Sequence, residues 1–356
     1  MLQRNDVVVF GITGVAVVAA AVLHFTGANE VASFVVAAAA LSLLAVNVSS
    51  GTEHVGEYLS PGATGILQSA LGNLPELLVC AFSLRAGLVQ VVQGALIGSI
   101  LGNSLLVLGI AIFVGGVKHG RQTFDAEAPR MIVSLMMVAV TAFSFPTLAH
   151  YLHTPAEAHE IPLSAACAIL LLIVFFASLP FSLSADPQRS LRHAKQPDAA
   201  GGQHWPLGMA VTVLALASVG AAVVSEWFVE ALEPAIKALN ISQAFAGIVV
   251  VAIAGNAVEN VAGIRLAAKN RPDYAMSVIL NSSLLIALVV APALVLLSFV
   301  LGGPILTLVV PPLLIAALLL TTLTSAIIVI DGETIWIEGV ALVGLYAIIA
   351  AAFWWG

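Results

Sequence analysis

Gly72-Asn73-Leu74-Pro75-Glu76 and, 183 positions later, Gly255-Asn256-Ala257-Val258-Glu259 are the two stretches on which the fold turns. Each carries an acid inside a long apolar run. A charged side chain in bilayer hydrocarbon costs about 3 kcal/mol or more, so each acid marks a function, and the pair marks a duplication. Of the 356 residues around them, 60% are hydrophobic and 9% charged, with a mean hydropathy of +1.08. Soluble domains carry about 25% charged residues. The chain therefore reads as an all-α integral membrane protein. Runs such as Met131 to Val140 and Leu313 to Leu320 lack the alternation that transmembrane strands need, and helices satisfy their own backbone groups in lipid.

Apolar runs between polar breaks predict eleven transmembrane helices, near 6–26, 29–48, 61–86, 89–116, 127–151, 160–184, 206–226, 242–269, 273–301, 304–330 and 333–355. The first run has no convincing cleavage site and reads as a span. This count places ten basic residues (Arg4, Lys118, Arg121, Arg130, Arg189, Arg192, Lys195, Arg265, Lys269 and Arg271) on one side, with only Arg85 and Lys237 on the other. By the positive-inside rule the N-terminus is cytoplasmic and the C-terminus outside.

The duplication extends beyond the two acids. Thr52-Glu53 with Glu57, Leu59 and Pro61 returns 173 positions later as Ser225-Glu226 with Glu230, Leu232 and Pro234, and Gly98-Ser99 corresponds to Asn281-Ser282 at an offset of 183. Two five-span halves follow, and an odd number of spans inverts the second relative to the first. Such inverted-topology repeats, with a shared site near the midplane, are a transporter architecture. The resulting 1+5+5 organisation has an extra N-terminal helix at 1–28, a first repeat at 29–184, a cytoplasmic linker at 185–205 and a second repeat at 206–356.

Glu76 and Glu259 are the expected cation- and proton-binding centre. No basic residue lies at matching depth in the same spans. Two acids meeting at the repeat interface repel, and a divalent cation or a proton relieves that. Asn73 and Asn256, three positions earlier, are expected on the same helical face as the acids. Ser99, Asn103, Asn281, Ser282 and Ser283 fall on the next span of each half, and hard cations take six to eight such oxygen ligands. Glu76, Glu259 and Asn103 are the expected metal ligands. Gly94, Gly98 and Gly102 predict one flat helix face for close packing. Glu53, Glu57, Glu226 and Glu230 stand at span ends as mouth acids, where clustered negative charge gathers cations; solvated faces are the bland alternative. Likewise the asparagines could be packing glue, and serines are common in spans.

Other classes find less support. Cys80 and Cys167 form no CxxC, the net charge of −7 leaves no basic patch for nucleic acid, and no HExxH or hydrolase arrangement suggests an enzyme. A cation channel would need a filter-like ring, which the sequence does not display. No cofactor is expected, and the partners are transported ions and the lipid bilayer.

Gly72 through Glu76, followed by Gly98-Ser99-Ile100-Leu101-Gly102-Asn103, resembles the first alpha-repeat of the cation/proton exchangers of the Ca2+:cation antiporter superfamily. Gly255 through Glu259 with Ser282-Ser283 resembles the second. Further similarity lies in Ser225 through Pro234, Ala291-Pro292 and Asp331 through Gly339. The resemblance implies Ca2+ export from the cytoplasm by alternating access, driven by protons moving inward. It implies that Glu76 and Glu259 bind the cation and exchange protons, with oxygen ligands at Ser99, Asn103 and Ser282. Two departures stand out: Asn260 replaces a usual His, and Leu284-Leu285 replaces a usual Thr-Gln. They leave open a Na+-coupled exchanger or one for another divalent ion such as Mn2+. The composition suits a bacterial inner membrane.

Overall fold

The computed structural model describes residues 4–27, 29–59, 63–64, 67–68, 71–184 and 205–354. The expected linker, apart from Trp205, lies outside the described residues, as does Pro61. The chain is a bundle of helices: α1 (Arg4–Thr26), α2 (Glu30–Gly56), α3 (Leu74–Arg85), α4 (Val89–His119), α5 (Glu127–Tyr151), α6 (Glu160–Ser184), α7 (Leu207–Leu239), α8 (Gln243–Gly255), α9 (Ala257–Ala268), α10 (Pro272–Leu297), α11 (Pro312–Val329) and α12 (Trp336–Trp354). Among the described residues nine helices are long and apolar enough to cross a membrane, or ten if α8 and α9, bent by 66°, form one broken span. Of the expected span at 61–86, residues 63–64, 67–68 and 71–86 are described, helical at 63–64, 67–68 and 71, and continuously so over α3 from Leu74.

Local chemistry sets the helix ends. The Asn29 side chain accepts from Ala32 N at 3.1 Å and starts α2. Asn240, in the left-handed conformation at φ 52°, stops α7, an end that Asn tolerates better than most residues. Ser242 then caps α8 by accepting from Phe245 N at 2.9 Å.

Three expected boundaries need correction. Helix α2 runs on to Gly56 and α7 to Leu239, past the expected ends at 48 and 226. Hydropathy falls at Thr52-Glu53 and Ser225-Glu226, but these residues still propagate a helix. Conversely, the expected helix at 304–330 begins only at Pro312. Residues 304–311 are neither helix nor strand, with a bend at Leu308, and Leu306, Leu308 and Val310 are buried. This period of two is a strand's, and a short apolar run cannot by itself distinguish strand from helix.

Irregular backbone within a membrane bundle must find partners. Here the side chains of three helices supply them. Gln93 of α4 donates to Val309 O at 2.7 Å, and Ser164 of α6 accepts from Leu308 N at 3.0 Å. Thr147 of α5 donates to Leu308 O at 3.0 Å and accepts from Val310 N at 3.1 Å. Thr147→Val keeps the shape but orphans both backbone groups. It is expected to destabilise the protein by roughly 2–4 kcal/mol, since each unpaired buried group costs about 1–3 kcal/mol. Thermal unfolding in detergent checks this; an unchanged midpoint would mean that the segment does not depend on Thr147.

Contacts between connections alternate as membrane crossings require. A two-residue strand, β1 (Gln122–Thr123), pairs antiparallel with β2 (Glu333–Thr334); α5, α6, α7, the α8–α9 pair, α10 and α11 lie between them. Asp125 N donates to Asp273 Oδ1 at 2.7 Å across α5, α6, α7 and α8–α9. Thr307 donates to Glu160 at 2.6 Å across α6, α7, α8–α9 and α10. The number of crossings is even in each case.

Gly94 and Gly98 form the expected close contact. A Cβ on Gly98 would lie 2.3 Å from Ile248 Cα, and one on Gly94 would lie 2.9 Å from Ala244 O. Gly247 on α8 answers with equally little space, 2.4 Å from Val91 O. Gly102 makes no such contact, since a Cβ there would meet nothing within 4 Å. It follows Gly98 by a regular α-helical turn and opens a π-helical turn, Gly102–Val107.

Candidate cation site

Glu76 and Glu259 each occupy the third position of a helix that starts in the middle of the bundle. Asn73 precedes α3 with φ −98°, ψ 18°, and Asn256 precedes α9 with φ −105°, ψ 18°. The two breaks thus share one backbone conformation. The expectation that the asparagines share a helical face with the acids is corrected: they are the residues at which each helix begins, and neither side chain caps its own helix. Pro75 sits at the second position of α3, where its missing N–H has no helical partner to lose. Breaking the helix puts an N-terminus, with its unpaired N–H groups and positive partial charge, beside each carboxylate. That stabilises an anion by about 0.3–1 kcal/mol at exposed ends, and by up to about 2 when partly buried.

Glu76 is 1% exposed. Its Oε1 accepts a short hydrogen bond from the Ser99 hydroxyl, and its Oε2 has no partner. Ser99 Oγ accepts from Asn256 Nδ2 at 2.9 Å, and the same amide donates to Ala252 O at 2.9 Å. Asn256 Oδ1 receives a long 3.5 Å contact from Ser282 Oγ, which in turn accepts from Asn103 Nδ2 at 2.9 Å. One polar chain therefore links Glu76, Ser99, Asn256, Ser282 and Asn103, and it passes between the two halves of the sequence. The second break lies against the first acid: a Cβ on Gly255 would make ordinary van der Waals contact with Glu76 Cβ at 3.4 Å.

Glu259 lies on the wetter side. With Asn73, Asn281 and Ser282 it lines a cavity of about 250 Å3 that leads past Ser49, Thr52 and Gln68 to the exposed Glu53. The site thus has one acid sealed in the protein and the other half-buried in the lining of the cavity. An ionised carboxylate that is buried with an unfilled oxygen is costly; a proton or a cation at Oε2 removes that cost. Among the described residues no three His, Cys, Asp or Glu side chains converge as a metal cluster. The available donors are two acids, amides and hydroxyls, a set that suits a hard cation passing through.

Several expected members stand apart. Ser283 is not in the network: it shares a 3.1 Å hydrogen bond with Ser104, whose carbonyl accepts from Ser325. Glu57 and Glu226 are exposed, and Glu230 is 3.5 Å from His24 on α1. Asn260 Oδ1 is buried without a partner, and Leu285 borders the cavity. Two contributors escaped the sequence reading. Ser104 gave no signal beyond being one serine among many. Ser42 donates to Ala254 O at 3.1 Å, a carbonyl beside the break; nothing in its sequence neighbourhood marks it. Ser99→Ala should strip Glu76 Oε1 of its donor and leave the Asn256 amide short of one acceptor. We expect roughly a 10-fold weaker apparent cation affinity, the equivalent of about 1.4 kcal/mol, read from the concentration dependence of transport.

Acids at the N-termini of two broken helices, buried among apolar spans and bordered by a cavity, define an ion-carrying integral membrane protein. Sequence comparison narrows the class. A sequence model of the sodium/calcium exchanger protein family matches residues 29–184 and again 209–355. The chain is 34% identical to a Ca2+/H+ antiporter of Synechocystis over 93% of its own length and 92% of the relative's. It is 31% identical to the Ca2+/H+ antiporter ChaA of Bacillus subtilis, covering 90% and 91%. The solved structure of native YfkE superposes with a TM-score of 0.82 at 29% identity, covering 97% of this chain and 99% of that one. The chain belongs to the sodium/calcium exchanger family, among the cation/proton exchangers of the Ca2+:cation antiporter superfamily.

Proposed function

We propose that this protein is a Ca2+/H+ antiporter that exports Ca2+ from the cytoplasm of a bacterium across its plasma membrane by alternating access. The observation that carries the reading is the buried Glu76 with an unfilled Oε2, joined through Ser99 and Asn256 to a site whose second acid, Glu259, faces the cavity. The names of the relatives from Synechocystis and Bacillus subtilis support the ion pair.

In this mechanism Ca2+ enters past Glu53 and is held by ionised Glu76 and Glu259, with Asn73, Asn103, Asn256, Asn281, Ser99 and Ser282 supplying neutral oxygens. Rearrangement of the broken helices opens the opposite side. Protons then take the carboxylates and displace the ion. An occupied or protonated site is neutral enough to be carried between states, whereas an empty dianion is penalised by its low-dielectric surroundings. That difference couples the two fluxes.

The architecture we propose is eleven spans as 1+5+5, with residues 61–85 and the α8–α9 pair as the broken spans of inverted repeats at 29–184 and 206–356. The twofold match of the family sequence model, the matching Asn73 and Asn256 dihedrals and the even crossings between connections support it. The ten-to-two split of basic residues supports a cytoplasmic N-terminus and a cavity on the cytoplasmic side.

The test is uptake of 45Ca2+ by purified protein in liposomes, with an imposed pH gradient and no Na+. Uptake that requires the gradient is expected. Uptake that appears only with a Na+ gradient would reject proton coupling. That second reading draws on Asn260 and Leu285, by which the second half lacks one titratable group and one amide of the family's usual pattern; the same assay with Mn2+ tests the other divalent alternative.

A further inference from the structure

The connection between α5 and α6 gathers ionisable side chains that the cation site does not use. His150 stands in the last turn of α5 and His153 just beyond it, Glu157 lies in the short 3-10 turn Pro155–His159, and Glu160 opens α6. The Nδ1 atom of His150 is buried and has no hydrogen-bond partner. It lies 3.7 Å from Glu157 Oε1 and 3.6 Å from Glu160 Oε2, beyond hydrogen-bonding range. Glu157 turns its other oxygen to His153 Nδ1 at 3.0 Å. Glu160 turns its other oxygen to Thr307, which donates to Oε1 at 2.6 Å. Glu157, Glu160 and Thr307 line a second cavity, of about 580 Å3.

Thr307 belongs to the irregular segment 304–311, which Gln93 of α4, Thr147 of α5 and Ser164 of α6 hold at Leu308, Val309 and Val310. Glu160 therefore ties an ionisable group to a segment that is bonded to α4, and α4 carries Ser99 six positions after Gln93. The cluster and the cation cavity lie at opposite ends of the bundle. At the cavity end, Trp205 before α7 stacks on His54, the neighbour of Glu53. In the proposed architecture α7, the α8–α9 pair and α10 then cross between Trp205 and Thr307, and three crossings lead to the other face.

We propose that His150, Glu157 and Glu160 form a second proton-binding site, remote from Glu76 and Glu259, and that a proton taken up by His150 tightens the tie between α6 and segment 304–311. Histidine is the side chain that ordinarily changes charge between about pH 5 and 8. A neutral imidazole gains little from the two carboxylates. An imidazolium is attracted to both, and closing a gap by about 0.8 Å produces a charge-assisted hydrogen bond. Glu160 reaches His150 through Oε2 without releasing Thr307 from Oε1, so the proton completes a chain from His150 through Glu160 to Thr307. The other ionisable groups at this level are Tyr151, whose ring meets that of His150 edge-on, the exposed His153 and His159, and Arg85, against whose backbone Gly303 packs. The neighbouring ends of α10 and α11, Ala291 to Leu297 and Pro312 to Leu320, carry no charged residue. The clasp does not depend on which ions the protein carries; that its face is the one supplying protons rests on the exchanger reading.

The experiment reads the mobility of the segment. Cys80 and Cys167 are replaced by Ala, and a nitroxide is attached at Ile305→Cys, an exposed position beside Thr307. Its electron paramagnetic resonance spectrum is recorded in liposomes without Ca2+ from about pH 8 to about pH 5.5, across the range in which histidine titrates. Acid should slow the label, lengthening its correlation time about twofold on the nanosecond scale of loop motion. His150→Gln and Glu160→Gln should each keep the alkaline spectrum at every pH, and their match to the unsubstituted protein at the alkaline end shows that they fold. His159→Gln should titrate normally. A spectrum that does not change with pH in the unsubstituted protein, or a response that survives in either His150→Gln or Glu160→Gln, would overturn the proposal. The readout needs no ion flux, so uptake of 45Ca2+ and its loss in Glu76→Gln decide the exchanger reading separately.

Discussion

Glu76→Gln is expected to lower proton-driven Ca2+ uptake at least 100-fold, and Glu259→Gln to do the same. A Gln keeps the volume and one oxygen but removes a full charge from contact with a divalent ion. At a few ångströms and an effective dielectric of about 20, that attraction is worth several kcal/mol, well above the roughly 2.7 kcal/mol that a 100-fold effect needs. The two variants should differ in their remaining behaviour. Glu76 is sealed from solvent and its Oε1 accepts from Ser99, so an amide there can also disturb Ser99 and Asn256. Glu259 borders the cavity, so Glu259→Gln should fold with wild-type stability and lose affinity alone. Glu233→Gln, which removes only an exposed pair with Lys237, is the control and should transport normally, because such pairs contribute about 0–1 kcal/mol. Normal exchange by both glutamine variants of the pair would reject the site.

The second large effect is expected at a residue with no chemistry of its own. In Gly98→Val the added Cβ would fall 2.3 Å from Ile248 Cα. No rotamer relieves a clash with backbone, so α4 and α8 must separate. Overpacking usually costs about 1–3 kcal/mol, and this contact lies at or beyond the top of that range. Ser99 is next in the chain and Ile248 is on the helix that ends at Asn256, so the displacement is passed to the bond between Asn256 and Ser99. The expected outcome is a lowered unfolding midpoint in detergent together with loss of Ca2+ uptake. By contrast Gly102→Ala has open space to fill and should leave the stability within about 1 kcal/mol of wild type. Equal effects at the two glycines would show that Gly98 and Ile248 are not in tight contact.

The contrast between Gly98 and Gly102 illustrates how far the chain could be read directly. Both glycines stand on one face by a four-residue count. They differ in what lies opposite, backbone of Ile248 for Gly98 and open space for Gly102, and a helix's own periodicity carries no record of where a distant helix approaches it. Asn73 and Asn256 behave likewise. Their spacing from the acids was legible, but a helix interrupted between neighbouring residues has the same hydropathy as a continuous one. The eight irregular residues before Pro312 were legible as apolar but not as non-helical, since their partners Gln93, Thr147 and Ser164 come from three distant helices.

Apolar run length, the scarcity of charge and the asymmetry of the basic residues are sums over local sequence, and the bilayer reads them in that form. The sequence by itself therefore determined that the chain is helical and membrane-embedded. It also determined that the chain is duplicated, because Gly72 through Glu76 and Gly255 through Glu259 repeat in order with their flanking motifs. It singled out Glu76 and Glu259 because an acid is too costly in hydrocarbon to persist there without a role. The tertiary structure alone decided that Glu76 is sealed while Glu259 meets the cavity. It decided, too, that Ser99, which donates to Glu76 of its own half, also accepts from Asn256 of the other, and that Ser283 turns away to Ser104. Those outcomes depend on which helix faces cross in space. Contacts between residues 150 or more positions apart are set by packing, which local sequence does not record.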